Sequence, residues 1–210
     1  MNNTLVVFLR KAVKGQVKTR LALGIGEEMA LSVYQWLVSL TLDAASRTKA
    51  DVHLYFDQMD NELSTPESFS RHEQKGNDLG ERMFDSFKNN LSDDASKKLI
   101  IIGSDCPEIN EQLVEEAFQK LSEKDLVIGP AIDGGFYLLG LKKLHVDLFK
   151  GIEWGGENVL RQLVTNATSL NLTMSSLEPK RDIDDASDLR WFKDQYQSYC
   201  LKELSNVAQG

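Results

Sequence analysis

The sequence contains few cysteines, prolines and histidines. Its two cysteines, Cys106 and Cys200, are too few for a disulfide framework and lack the paired spacing of a structural zinc site. The three histidines are dispersed, which gives no basis for a histidine-rich metal centre. With four prolines in 210 residues there is no proline-rich linker, and no internal repeat is present. We therefore predict a single domain spanning residues 1–210.

Long apolar runs are absent as well. The stretch Leu5–Leu9 near the N-terminus is far too short for a signal peptide or a membrane span, and no basic segment precedes it. We therefore expect a soluble, cytoplasmic protein that has no membrane partner.

Acidic residues outnumber basic ones and set a formal net charge of -8. This balance disfavours a nucleic-acid partner, which needs a large basic surface. The first 20 residues, however, hold five of the 24 lysines and arginines and no acidic residue. Such a segment suits a small polyanion such as a nucleotide phosphate, although a solvated basic loop would have the same composition.

Strand and helix patterns alternate along the chain. The predicted strands cover residues 4–9, 51–56, 98–102, 125–129, 136–141 and 170–174. The predicted helices cover 27–45 and 78–90, a segment capped by Asn110, residues 157–164, and a last segment from about 186. This order predicts an α/β protein with a mostly parallel central sheet flanked by helices. In such sheets ligands bind beyond the carboxyl ends of the strands.

The loop after the first predicted strand carries the basic segment. Gly15 allows close backbone approach to a phosphate, and Lys18 and Arg20 supply charged donors. Val17 stands where a Walker A loop has glycine, which argues against a P-loop kinase. The candidate nucleotide-binding residues of this loop are Arg10, Gly15, Lys18, Thr19 and Arg20.

Asp105 lies in Gly103–Pro107, at the carboxyl end of the most apolar predicted strand. A carboxylate there can hold a divalent ion that nucleotide phosphates also ligate, or it can be a turn or cap residue. Asp184, in a later acidic segment, either completes that metal site or caps the last helix. Cys106 has no evident histidine partner and is interpreted as a packing residue.

Two glycine-containing segments add further candidates. Asp133-Gly134-Gly135 joins two apolar runs and predicts a hairpin, where Asp133 can also bind or deprotonate an acceptor hydroxyl. The candidate acceptor-binding residues are Asp133, Gly134, Gly135 and Tyr137. The segment 74–83 can form an edge that binds the base or ribose of a nucleotide. Its candidate nucleotide-binding residues are Gly76, Asp78 and Arg82.

Taken in order, four motifs resemble the bacterial radical-SAM/selenodomain-associated transferases, which are members of the GT-A nucleotide-diphospho-sugar transferase superfamily. The resemblance covers roughly residues 4–195 and lies in Val17–Leu21, Asp78–Met83, Gly103–Pro107, and Gly129–Pro130 with Asp133–Tyr137. It implies a GT-A fold, phosphate contacts from Lys18 and Arg20, Mg²⁺ or Mn²⁺ on Asp105, and an acceptor beside Asp133. The first loop departs from the family pattern of lysine followed by prolines.

The resemblance leaves the reaction open. Glycosyltransferases of this fold commonly have an Asp-x-Asp pair on the metal, but position 103 is glycine here. We therefore carry three hypotheses: a nucleotide-diphospho-sugar glycosyltransferase, a nucleotidylyltransferase that joins a nucleoside triphosphate to a phosphorylated acceptor and releases pyrophosphate, and a non-catalytic nucleotide-binding module. For an enzyme, the expected substrates are a nucleotide-sugar or nucleoside triphosphate and a small-molecule acceptor. The candidate catalytic residues are Lys18, Arg20, Asp105 and Asp133.

Overall fold

A computed structural model of the protein describes residues 3–91 and 97–207. The strands are β1 (Asn3–Leu9), β2 (Asp51–Phe56), β3 (Ser70–Glu73), β4 (Lys98–Ile102), β5 (Leu126–Pro130), β6 (Phe136–Leu141) and β7 (Met174–Ser176). The helices are α1 (Thr19–Ile25), α2 (Glu27–Arg47), α3 (Leu79–Asn90), α4 (Glu111–Glu123), α5 (Val159–Ser169), α6 (Ala186–Leu189) and α7 (Lys193–Val207). Two 3₁₀ helices cover Val146–Phe149 and Arg190–Phe192.

The seven strands form one sheet in the order β3-β2-β1-β4-β6-β5-β7. Every neighbouring pair is parallel except the two pairs that include β6, which is antiparallel to β4 and to β5. The carboxyl ends of β1, β4 and β5 therefore meet at the same sheet edge as the amino end of β6. The loops that carry the predicted motifs all leave the sheet at this edge.

Helices cover both faces of the sheet, as expected for parallel strands that are buried on both sides. Alternate residues of β1 point to opposite faces. Val7 belongs to the apolar cluster that includes Tyr34 of α2 and Phe118 of α4. Val6 belongs to the cluster on the other face, with Met83 of α3 and Leu163 of α5. The helix starts agree with their sequences, because Asp78 caps α3 and Asn110 caps α4 through their side chains.

A third apolar cluster joins α1 and α2 to the C-terminal helices. Trp36 is 2% exposed and packs against Tyr196 of α7, with ring centroids 5.4 Å apart. Leu21 of α1 and the buried Ile183 belong to the same cluster. The cluster therefore holds the basic loop and the acidic segment around Asp184 beside each other. Within residues 3–91 and 97–207, no helix is both long and apolar enough to cross a bilayer.

The structure corrects several expected elements. The predicted strand 170–174 is wrong: α5 ends at Ser169, and β7 begins at Met174, where it pairs with β5. The segment from 186 is a short α6, a 3₁₀ turn and α7 rather than one helix. Helix α1 was not predicted because Gly24 within it and Gly26 directly after it suggest a turn. Strand β3 was not predicted because Ser70–Glu73 contains no apolar residue.

Candidate functional site

The basic loop after β1 turns into the site at Lys18. Lys18 directly precedes α1 and has left-handed backbone angles, φ 48° and ψ 44°. This conformation is uncommon outside glycine, and such backbone strain is concentrated at functional sites. The lysine side chain points inward and is 6% exposed. The basic segment is therefore not simply a solvated loop, because the charged side chain of Lys18 is buried.

Lys18 lies between two aspartates. Its Nζ is 2.6 Å from Asp105 Oδ1 and 3.5 Å from Asp184 Oδ1. Burial by itself would lower the pKa of Lys18, but the charge and hydrogen bond of Asp105 and the charge of Asp184 outweigh it, so the pKa is raised. The ammonium group therefore stays charged, and it neutralises part of an acidic cluster.

Asp184 belongs to this site, and its neighbour caps the helix. Arg20 Nη2 lies 2.5 Å from Asp184 Oδ2. The N-cap of α6 is Asp185, whose Oδ1 accepts from the amides of Ser187 and Asp188. The sequence left open whether Asp184 was a metal ligand or a cap, and the geometry removes the capping role from it. A backbone hydrogen bond from Ile183 N to Asp105 O, 2.9 Å long, joins the two acidic segments.

A further carboxylate, Asp182, faces the same cluster. Burial, followed by repulsion from Asp105, raises the pKa of Asp182 to about 8, although Lys18 opposes the shift. Its buried Oδ1 has no hydrogen-bond partner within the described residues. Asp182 lies in the acidic segment that contains Asp184, yet it was not a candidate. Its only signal was its place two residues before Asp184.

The carboxylates fit a divalent cation. Mg²⁺ and Mn²⁺ prefer oxygen ligands, and Mg²⁺ commonly takes one or two protein carboxylates together with phosphate and water. Asp105 and Asp184 are carboxylates of this kind, and both pair with Lys18 in this structure, while the buried Asp182 Oδ1 has no hydrogen-bond partner among the described residues. Among residues 3–91 and 97–207, no three histidine, cysteine, aspartate or glutamate side chains are grouped as a complete protein-only metal site.

Tyr34 and Asp57 hold the beginning of the basic loop. The Tyr34 hydroxyl accepts from Arg10 N at 2.8 Å and donates to Arg10 O at 2.7 Å. Burial raises the pKa of Tyr34. Asp57 Oδ1 accepts from Lys11 N at 2.8 Å. Tyr34 and Asp57 were absent from the predicted site. A tyrosine in a helix has no distinctive signal, whereas Asp57 directly follows the strand β2, and this position, which resembles that of Asp105, was overlooked.

The basic loop, Tyr34, Asp105 and Asp184 surround a cavity of about 180 Å³. The predicted residues that line it are Arg10, Lys18, Thr19, Arg20, Asp105 and Asp184, together with Val17 and Tyr34. Five of the six predicted residues come from the two segments 10–20 and 103–107, and Asp184 comes from the segment before α6. Gly15 does not line the cavity; it has a positive φ of 76° and lies against Glu27.

The other predicted nucleotide-binding residues form a separate edge at the start of α3. Arg82 Nε donates to Gly76 O at 3.1 Å, so two of these candidate residues are hydrogen-bonded to each other. Asp78 Oδ1 accepts from Glu81 N and therefore serves as the helix cap. Gln74 Nε2 donates to Leu9 O and Tyr55 O, so this edge is tied to the ends of β1 and β2.

The predicted acceptor turn is the tip of the hairpin between β5 and β6. Asp133 Oδ1 accepts from Gly135 N at 2.9 Å, and Gly134 has φ 94°. Tyr137 is 3% exposed, and its hydroxyl donates to Glu178 O at 2.9 Å. Its side chain therefore supports the hairpin from within, and only Asp133, Gly134 and Gly135 are at the tip.

Comparison with known proteins gives a family and a fold. The family model for an uncharacterized protein conserved in bacteria (DUF2064) matches residues 40–156. No curated protein matches the sequence. A crystal structure from Desulfovibrio desulfuricans G20, provisionally named a nucleotide-diphospho-sugar transferase, has TM-score 0.81 and 28% identity. That similarity covers 94% of this chain and 98% of the other.

Two more distant structures share the fold. The 4-diphosphocytidyl-2C-methyl-D-erythritol synthase from Anaerococcus prevotii DSM 20548 has TM-score 0.58 and 11% identity, over 93% of this chain and 98% of its own. A CMP:2-keto-3-deoxy-manno-octonic acid synthetase, solved with CTP, has TM-score 0.54 and 10% identity, over 95% of this chain and 100% of its own. The predicted α/β fold of nucleotide-diphospho-sugar transferase type is therefore confirmed.

Proposed function

This chain belongs to the DUF2064 family of bacterial proteins, and we propose that it is a metal-dependent transferase that uses a nucleotide-diphospho-sugar as donor. The observation that carries the proposal is that Lys18 and Asp105, from the loops that follow β1 and β4, lie in one cavity with Arg10 and Arg20. Basic donors beside a carboxylate are the groups that a nucleotide diphosphate with its cation requires.

Each charged residue has a distinct role in this proposal. Arg10 and Arg20 are largely exposed and bind the donor phosphates, and the buried Lys18 stabilises the negative charge that develops on the leaving phosphate. Asp105 and Asp184 would hold Mg²⁺ or Mn²⁺, which neutralises charge on the leaving group when it is bound. Asp133, at the hairpin tip, accepts the proton of the acceptor hydroxyl. The narrower relationship to radical-SAM/selenodomain-associated transferases belongs to this proposal as well.

The charge distribution favours an acceptor without a phosphate group. The charged residues of the turn 131–135 and of the contacting segment 151–158 are all acidic: Asp133, Glu153 and Glu157. In the first loop, Arg10, Lys18 and Arg20 line the donor cavity instead. Lys180 contacts the turn through its backbone, but its ammonium group pairs with Glu108 and Glu178. Because like charges repel, a phosphorylated acceptor would bind poorly beside this turn, whereas a hydroxyl or amine acceptor would not be repelled.

Thermal unfolding in the presence of nucleotides tests the proposal. The panel contains nucleoside triphosphates and nucleotide-diphospho-sugars, each with and without Mg²⁺ or Mn²⁺. A ligand at a hundred times its dissociation constant adds roughly 2.7 kcal/mol to the stability of a protein that binds it only when folded. We expect a metal-dependent rise in melting temperature with one or more nucleotide-sugars. If no nucleotide raises the melting temperature, the proposed donor class is wrong.

Nucleotidylyl transfer is the second candidate, and the lone Asp105 favours it. Position 103 is glycine, so the loop lacks the Asp-x-Asp pair expected from the resemblance for sugar transfer. In this reaction an acceptor attacks the α-phosphorus of a nucleoside triphosphate, and pyrophosphate leaves. Release of pyrophosphate during turnover would identify it, whereas release of a nucleoside diphosphate or monophosphate from a nucleotide-sugar would identify sugar transfer. A binding module without catalysis would release neither.

A further inference from the structure

The segment 151–158 connects two parts of the predicted site, and the proposed function uses only the charge of its glutamates. It follows the 3₁₀ helix Val146–Phe149 and precedes α5. Trp154 N donates to Ile152 O at 3.1 Å, and Gly156 N donates to Glu153 O at 3.2 Å, so the segment is folded into tight turns. Glu153 N also donates to Gln162 Oε1 of α5 at 3.0 Å.

At one side, Trp154 packs on the first turn of α3. A Cβ added to Gly80 would lie 2.1 Å from Trp154 Nε1 and 2.2 Å from Cε2, which is far closer than side-chain atoms approach each other. The indole ring therefore occupies space that any residue larger than glycine would fill. Phe149 packs at a centroid distance of 6.3 Å and an interplanar angle of 27°, so the indole is held by α3 and by this phenyl ring.

At its other side, the same segment contacts the acceptor turn through the backbone. A Cβ added to Gly134 would lie 2.1 Å from Glu157 O, and Leu160 N donates to Gly134 O at 3.0 Å. The position of the Asp133–Gly135 turn thus depends on where residues 157–160 lie. Gly155 and Gly156 connect Trp154 to those residues, and the turn is closed by the hydrogen bond from Gly156 N to Glu153 O.

We propose that Trp154 is a positioning residue for the acceptor: its contact with Gly80 fixes residues 153–157, and these fix the turn that carries Asp133. That an acceptor binds at this turn rests on the proposed function. The series of contacts from Gly80 through Trp154 to Gly134 does not depend on it. Displacement of a positioned group by about 1 Å can cost a hundredfold in rate, so the link affects catalysis without touching the donor.

The variants Gly80→Ala, Trp154→Ala and Trp154→Phe test the link. Gly80→Ala pushes the indole away, Trp154→Ala removes it, and Trp154→Phe retains an aromatic ring between Phe149 and Gly80. Trp191→Phe is the control, because Trp191 is 73% exposed and its ring lies beside Arg181. Hydrogen–deuterium exchange is measured for all variants, and Michaelis constants are measured separately for donor and acceptor.

We expect Gly80→Ala and Trp154→Ala to speed amide exchange at residues 131–135 but not in the basic loop 10–20. The kcat/KM for the acceptor should fall by about tenfold or more, through kcat or the acceptor Michaelis constant, with the donor Michaelis constant nearly unchanged, and Trp154→Phe should restore most of the loss. Faster exchange confined to α3 and residues 149–158, or equal rises in both constants, would overturn the inference. If the wild type turns over no donor, the proposed function fails, and the exchange result alone decides the link.

Discussion

The Lys18 ammonium group lies 2.6 Å from the Asp105 carboxylate, although the two residues come from different loops at the ends of β1 and β4. The pair is asymmetric, because the Lys18 side chain is 6% exposed and the Asp105 side chain is 48% exposed. Asp105 can therefore turn towards a ligand or a cation in solvent. Lys18 remains inside the cluster next to Asp184.

Replacing Asp105 with asparagine should abolish most of the transferase activity while the fold is retained. The substitution removes the charge that would hold the cation but keeps the size of the side chain, and losses of about a hundredfold or more are expected when such a group is removed. Steady-state rates and melting temperature are the measurements. Glu108→Gln is the matched control, because Glu108 lies in the same loop but pairs with Lys180. Activity of Asp105→Asn within about tenfold of wild type would refute the assignment.

Replacing Tyr34 with phenylalanine should weaken nucleotide binding through the backbone of Arg10. The loss of the hydroxyl leaves Arg10 N and O without their partner, and each such bond contributes about 1 kcal/mol. The basic loop then loses its fixed starting point, so the nucleotide dissociation constant should rise. Calorimetric titration with the nucleotide that stabilises the wild type measures this constant. Tyr196→Phe, which removes a bond to Ser32 on α2, should leave it unchanged.

Substitutions of the neighbouring residues Asp184 and Asp185 should have different effects on stability and on nucleotide affinity. Asp185→Ala removes the cap of α6 and should lower the free energy of unfolding by about 1 kcal/mol. It should leave nucleotide affinity close to that of wild type, since Asp185 contacts the helix amides. Asp184→Ala should weaken nucleotide binding and leave the free energy of unfolding close to that of wild type, because Asp184 pairs with Lys18 and Arg20 of the site. Denaturant unfolding and nucleotide titration of both variants check this, and identical profiles would contradict it.

Cys106 should be inert in the folded protein. Burial, with the Asp182 charge next, raises the pKa of its thiol to about 12, and the residue is 2% exposed. Since the thiolate is the reactive form, a thiol reagent at about pH 8 should modify Cys200 and spare Cys106 until the protein is unfolded. Peptide mapping of the labelled protein, before and after denaturation, measures this. Rapid labelling of Cys106 in the native protein would reopen its role as a nucleophile.

The stacked pair His53 and His72 should make the protein sensitive to mild acid. Their ring centroids are 5.2 Å apart, and burial, with the His53 charge next, lowers the pKa of His72 below 6.5. The unfolded chain then binds more protons than the folded protein as the pH falls below 6.5, so stability is lost in that window. His72→Phe keeps an aromatic ring stacked on Tyr55, but the phenyl ring does not titrate. The substitution should therefore reduce the fall in melting temperature between about pH 7 and about pH 5.

A control variant tests whether the stacked histidine pair is the source of the acid sensitivity. His145→Phe is the control, because His145 precedes the 3₁₀ helix Val146–Phe149 rather than lying in β2 or β3. If His72→Phe and His145→Phe change the acid sensitivity equally, the stacked pair is not its source.

Local patterns predicted most of the regular structure. Lys98–Ile102 is a short apolar run, and the side chains of Asp78 and Asn110 are caps, so β4, α3 and α4 follow from neighbouring residues alone. The hairpin at Asp133 follows in the same way from two glycines between apolar runs. By contrast, β3 forms because the ordered edge of β2 accepts it, and its own sequence contains no strand pattern.

The sequence by itself determined the α/β fold and the residue types of the site: a basic loop, an aspartate after an apolar strand, and a glycine-rich turn. Only the tertiary structure decided which charges meet. Asp184 joins Lys18, while the adjacent Asp185 caps α6, and Asp182 faces the same cluster with its raised pKa. The reason is physical: strand and helix patterns repeat over a few residues, whereas contacts between separate loops depend on how the elements between them pack.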